Sequence, residues 1–114
     1  MRRVDINDNK PEFDRPNIEV SVLENATIGT QLATFHATDV DAGGKSKVSY
    51  YIDRASDRKR QFKISQDGVV SIQRKLDREV QPRHVIKIVG VDDGYPPKSS
   101  TATLTVVVST FEFH

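Results

Sequence analysis

HVIKIVGVDDGYPPKSSTATLTVVVS, residues 84–109, carries the alternation that decides the fold. Its first half sets Ile86 and Ile88 on one side of an extended chain and Val85, Val89 and Val91 on the other. Its second half sets Ala102, Leu104 and Val106 in step. Successive side chains of a strand point to opposite faces, so a period of two marks a half-buried strand. The β-branched content agrees. Between the halves, DDGYPPKSS holds turn formers and a proline pair that a central strand does not accept.

The same signature recurs toward the N-terminus. IEVSVLE (18–24) aligns Ile18, Val20 and Val22, and QLATFHA (31–37) offers Leu32 and Phe35 less regularly. KVSYYI (47–52), QFKIS (61–65, with Phe62 and Ile64) and GVVSIQ (68–73, with Val70 and Ile72) follow. NATIGT, DVDAGGKS, DRASDRKR and SQDG separate them as turns. Seven short strands with regular breaks predict an all-β, antiparallel sandwich. RKLDREVQPR (74–83) is not strand-like; Pro82 stops the one helical turn that Leu76 and Val80 would allow. It reads as a compact connection crossing between sheets. No internal repeat is found.

The chain has 114 residues, enough for one domain with one core. It is 36% hydrophobic and 29% charged, with 17 Lys plus Arg against 16 Asp plus Glu, a net charge of +1. That balance gives no overall field to attract nucleic acid or an anionic membrane surface. No apolar run reaches the roughly 18 residues of a membrane span, and no leader-like segment opens the chain. Cysteine is absent, which excludes a disulfide framework, a thiolate zinc site and a thiol nucleophile. No nucleophile elbow or glycine-rich phosphate loop is found. His36, His84 and His114 are scattered and read as structural or solvated. Arg54–Arg60 reads as a solvated basic loop rather than an anion patch. Tyr50 and Tyr51 read as one core and one surface strand residue.

The acidic residues are patterned. DINDNKPEF (5–13) packs two Asp and two Asn before a proline. It suits a polar turn, and it equally suits a calcium linker, because Ca²⁺ takes six to eight oxygens from carboxylates, amides and backbone carbonyls. Asp39 and Asp41 in DVD, and Asp77 and Glu79 in LDRE, stand two apart, so in extended chain each pair faces one way. Glu24 ends the first strand, and Asp92 and Asp93 end the sixth. Each pair alone suits a solvated turn as well as a shared cation.

In order and spacing, DINDNKPEF, LEN, DVDAGG with VSY after it, LDRE and VDDGYPP together resemble the extracellular cadherin repeat, from Asp5 to about Ser109. The resemblance implies a seven-stranded, immunoglobulin-like Greek-key sandwich. It implies an inter-repeat linker at 1–13 and a repeat at 14–109, with 110–114 a cloning or tag remnant. It implies Ca²⁺ held by side chains of Asp5, Asn7 and Asp8, carbonyls of Ile6 and Asn9, and Asp39, Asp41 and Asp92 at one pole. Glu24, Asp77 and Glu79 would serve the other, so the chain carries two half-sites. Lys45 stands where the family favours Asn, Asp93 where Gly is frequent, and TFEFH where a further linker would follow.

The implied function is a calcium-dependent adhesion module, an internal repeat of a tandem ectodomain, since the N-terminal Trp of strand-swapping repeats is absent. ASDRKRQF and REVQPRH point toward neural-type invertebrate cadherins. Implied partners are neighbouring repeats of the same chain and a homophilic or heterophilic cadherin on another cell. Nucleic acid and direct membrane contact by this domain are not expected, and the location is the extracellular part of a single-pass plasma-membrane protein. The alternatives are a partner- or toxin-docking repeat of a receptor and, remotely, a metal-dependent phosphoesterase; no enzyme is expected. Asn25 opens an N-glycosylation pattern, NAT.

Overall fold

The computed structural model describes residues 10–39 and 47–110. All seven expected windows form strands. They are β2 (Asn17–Leu23), β3 (Gln31–Thr34), β5 (Ser49–Ile52), β6 (Phe62–Ile64), β7 (Val69–Ile72), β8 (Arg83–Val91) and β9 (Ser99–Ser109). Two two-residue strands join them, β1 (Glu12–Phe13) and β4 (Ala37–Thr38). QLATFHA is therefore split: β3 pairs with β7, and β4 pairs with β1.

One sheet has the order β2-β9-β8-β5 and the other β3-β7-β6, with β1-β4 as a small third ladder. Every pair is antiparallel except β2–β9, which is parallel. The all-antiparallel expectation is corrected at this pair, and the register gives the reason. Ile18 lies beside Leu104, Val20 beside Val106 and Val22 beside Val108. The parallel alignment puts all six on the inner face, and a period of two is blind to strand direction.

Ile86 and Ile88 of β8 face inward with Ala102, Leu104 and Val106 of β9, across from Phe62, Val70 and Ile72 of the second sheet. Each fully buried Val, Leu, Ile or Phe among them contributes about 1.5–3 kcal/mol. Phe13 packs edge-on against Phe35 at 6.0 Å between ring centres. Gly90 leaves the room for it, since a Cβ there would meet the Phe13 ring at 3.0 Å.

Residues 74–82 cross from β7 to β8, between the two sheets, as expected. The crossing is a turn closed by Val80 and Gln81 amides on the Asp77 carbonyl, with Leu76 buried and Val80 exposed. Tyr50 is half-buried and its hydroxyl accepts from the Ala37 amide at 2.9 Å, while Tyr51 is exposed.

The basic loop is not simply solvated. Arg54–Ser56 form a 3-10 turn capped by the Asp53 side chain, and Asp57 is buried at 4% exposure. Asp57 Oδ1 accepts from the Gln61 amide at 2.9 Å. Its Oδ2 accepts from the Phe62 amide at 3.1 Å and from Arg54 Nη1 at 2.9 Å. The charge run hides a carboxylate that closes the loop onto β6.

Candidate functional site

Strand register places the acidic groups at opposite ends of the four-stranded sheet. β8 ends at Val91 beside Ser99, where β9 begins, and Asp92 follows directly. β2 ends at Leu23 beside Ser109, where β9 ends, and the Glu24 amide donates to the Ser109 carbonyl at 2.9 Å. The Asp77–Val80 turn belongs to this second end, because it leads to Pro82, whose carbonyl accepts from Val108 at 2.8 Å.

At the first end, Asp39 leaves β4 and Asp92 leaves β8, and both are buried, at 2% and 4% exposure. Asp92 Oδ1 accepts from the amides of Gly94 at 3.0 Å and Lys98 at 2.9 Å. These two bonds fold the loop 92–98 around the carboxylate. Its other oxygen, Oδ2, is buried and accepts no hydrogen bond, and Asp39 Oδ2 is buried as well. The Asp39 carboxyl lies within hydrogen-bonding reach of Asp92.

Burial pushes the Asp92 carboxyl up. The Lys98 and Gly94 amides, the Asp39 carboxyl and the Lys98 ammonium together outweigh it and hold the group below its ordinary 3.8. Asp92 is therefore ionised at neutral pH. Asp92 Oδ2, buried and taking no backbone amide, stands beside a second carboxyl group, which leaves oxygen-donor capacity that suits a hard cation. The two carboxyl groups are hard oxygen donors of the kind Ca²⁺ takes.

The neighbouring chain reinforces this end. β1 pairs Glu12 and Phe13 with Thr38 and Ala37, and the Ser100 hydroxyl donates to the Pro11 carbonyl. Pro11 and β1 are thus fastened beside the strand that leads into Asp39. Asp5, Ile6, Asn7, Asp8, Asn9 and Asp41 lie outside the described residues. Among the described residues no group of three or more His, Cys, Asp or Glu side chains is gathered in a way that could hold a metal.

The second end is built differently. Asp77 and Glu79 share one exposed turn, where Asp77 Oδ1 accepts from the Glu79 amide at 3.0 Å. Glu24 is half-buried on another connection. Its side chain is not gathered with the other two into a three-residue cluster. Asp93 is exposed, and its Oδ2 accepts a long 3.4 Å bond from the Lys47 amide.

Lys98 and Gly94 were missed as supporting residues. Their donors are backbone amides, which any sequence would supply, so only the loop path reveals them. Of the two readings given for His84 the structural one holds: it is buried, with its ring 5.1 Å from Phe62 edge-on and Nε2 enclosed without a hydrogen bond. Burial lowers its pKa from 6.5 most strongly; Asp57 raises it, Lys59 lowers it and the Gln81 backbone raises it, with a net decrease.

The cadherin domain family model matches residues 18–109, from the first inward residue of β2 to the end of β9. The chain belongs to the cadherin domain family. It is 67% identical over 104 residues to neural-cadherin of Drosophila melanogaster, covering 91% of this chain and 3% of that protein. The cadherin repeat is therefore a small part of such a relative's length. The fold matches repeats EC22-24 of mouse cadherin-23 with a TM-score of 0.80 and 34% identity, over 95% of this chain and 33% of that one. It matches the third cadherin domain of human protocadherin 7, solved in solution, with a TM-score of 0.75 and 26% identity, over 91% of this chain and 89% of that one.

Proposed function

We propose that this cadherin repeat is an internal link of an extracellular rod whose junctions are stiffened by calcium and which serves cell adhesion. The observation that carries the reading is the buried Asp39–Asp92 pair, with one bare Asp92 oxygen at the end where the chain enters the fold. Asp39, Asp41 and Asp92 would meet Asp5, Asn7 and Asp8 side chains and Ile6 and Asn9 carbonyls there. Glu24, Asp77 and Glu79 would serve the next junction. The cation supplies positive charge that lets converging carboxylates sit together. The chain's own part is to hold Asp92 ionised, to exclude water from its Oδ2, and to anchor the entering segment by β1.

The segment read as linker, 1–13, would end in β1, whose two residues pair with β4. The repeat itself would run over 14–109. Its apolar core is separate from both ends, which supports folding without calcium. Placement of the acidic groups at opposite ends disfavours the phosphoesterase reading, since one cleft would need them together.

A chain carrying this repeat with the one before it tests the reading by small-angle X-ray scattering. Calcium is expected to give a single extended shape, chelation a broader distribution of shapes, and Asp92→Asn the chelated behaviour in either buffer. Identical scattering with and without calcium would contradict the proposal.

A further inference from the structure

We propose that Asn25 is an N-glycosylated residue and that its sugar stands at the rim of the junction with the following repeat. The inference rests on the extracellular reading above. Asn25, Ala26 and Thr27 form the acceptor pattern N-x-T without proline at the middle position. The structure adds three observations. Asn25 and Thr27 are exposed, while Ala26 between them packs against the core, so the turn is anchored with its acceptor side outward. The turn is closed from the Ala26 amide to the Leu23 carbonyl at 3.0 Å, and the Thr27 hydroxyl makes only a long 3.4 Å contact with the Thr30 hydroxyl. The Asn25 side chain makes no hydrogen bond with a described residue, so modification breaks nothing in the fold.

Position gives the sugar its role. Glu24, the preceding residue, is bonded through its amide to Ser109, at the end of β9. A glycan on Asn25 therefore lies beside the chain exit and far from Asp39 and Asp92 at the other end of the sheet. Leu23 and Ile28, 46% and 59% exposed, flank the acceptor in the chain and supply apolar surface for a sugar to cover. The chemistry is a group transfer from a lipid-pyrophosphate-linked oligosaccharide. The Asn25 amide nitrogen forms a bond to C1 of the first sugar, the C1–O bond to pyrophosphate breaks, the lipid pyrophosphate leaves and the amide proton goes to the transferase base.

The test is translation of the chain behind a cleavable secretion leader into animal-cell microsomes, with the mass read before and after peptide-N-glycosidase. The expected result is a glycosidase-sensitive increment that Asn25→Gln and Thr27→Ala abolish and Thr27→Ser retains. An unmodified native chain would overturn the proposal, as would an increment that survives Asn25→Gln. The extracellular reading is judged separately, by labelling the full-length protein on intact cells with a reagent that cannot cross the membrane. Absence of label there, with Asn25 modified in microsomes, would sink that reading and leave the acceptor site standing.

Discussion

Asp57 and Asp92 are both 4% exposed, yet the fold treats them in opposite ways. Asp57 accepts from two backbone amides and from Arg54, and both its oxygens are used. Asp92 accepts two amides on one oxygen and nothing on the other, with a second carboxylate at hand. Equal burial therefore carries no functional meaning by itself. On the proposed reading, what marks Asp92 as a ligand and Asp57 as structural is the hydrogen-bond capacity left over after the fold has taken its share.

The comparison predicts unequal costs. Asp57→Ala leaves the Gln61 and Phe62 amides without acceptors and should lower stability by about 3 kcal/mol in urea unfolding. Arg54→Ala removes the outer partner of Asp57, an arginine side chain that is 41% exposed, together with its 3.1 Å bond to the Phe62 carbonyl, and should cost about 1 kcal/mol. Asp92→Asn keeps the Oδ1 acceptor and removes charge from a close carboxylate pair. Without calcium its stability should stay within about 1 kcal/mol of the native chain, while stabilisation by calcium disappears. A loss as large as that of Asp57→Ala would mean that Asp92, too, is structural.

Acid should separate two further limbs. The Asp92 pKa is lowered in the fold, so its contribution is complete above its unfolded value and is lost as pH falls through the lower folded one. Calcium-free Asp92→Asn should lack that limb. His84 is also lowered, so its contribution is present above 6.5 and fades as pH falls below that value toward its folded pKa. The unfolding midpoint of the native chain should decline below pH 6.5, and His84→Phe, which keeps a ring against Phe62, should flatten the decline. A decline of equal slope in both proteins would show that His84 is protonated without cost.

The sandwich was legible because Ile86, Ile88, Leu104 and Val106 sit on a strict period of two, which the core enforces. β1 and β4 were not, since two residues have no period. The parallel β2–β9 pairing was not, because alternation records a face and not a direction. Asp39 and Asp92 stood out through their family motifs, but neither burial nor the bare Oδ2 could be read from them. Asp57 was lost in a basic run, where composition suggested solvent and the chain path put the carboxylate inside. The half-burial of Glu24 against the open Asp77–Glu79 turn was equally invisible, because residue type and spacing look the same at both ends.

The most direct measurement is a calcium titration of this chain to several millimolar, followed through backbone amide NMR. Affinities of extracellular sites run to about 10⁻⁴–10⁻³ M. Gly94 and Lys98, whose amides hold Asp92, should shift together with Asp39 along one binding curve, with Gln61 and Phe62 around Asp57 unchanged. Gly94, Lys98 and Asp39 amides that stay fixed in this chain, and again when the preceding repeat is attached, would contradict the account of Asp92 as a ligand held ready by the fold.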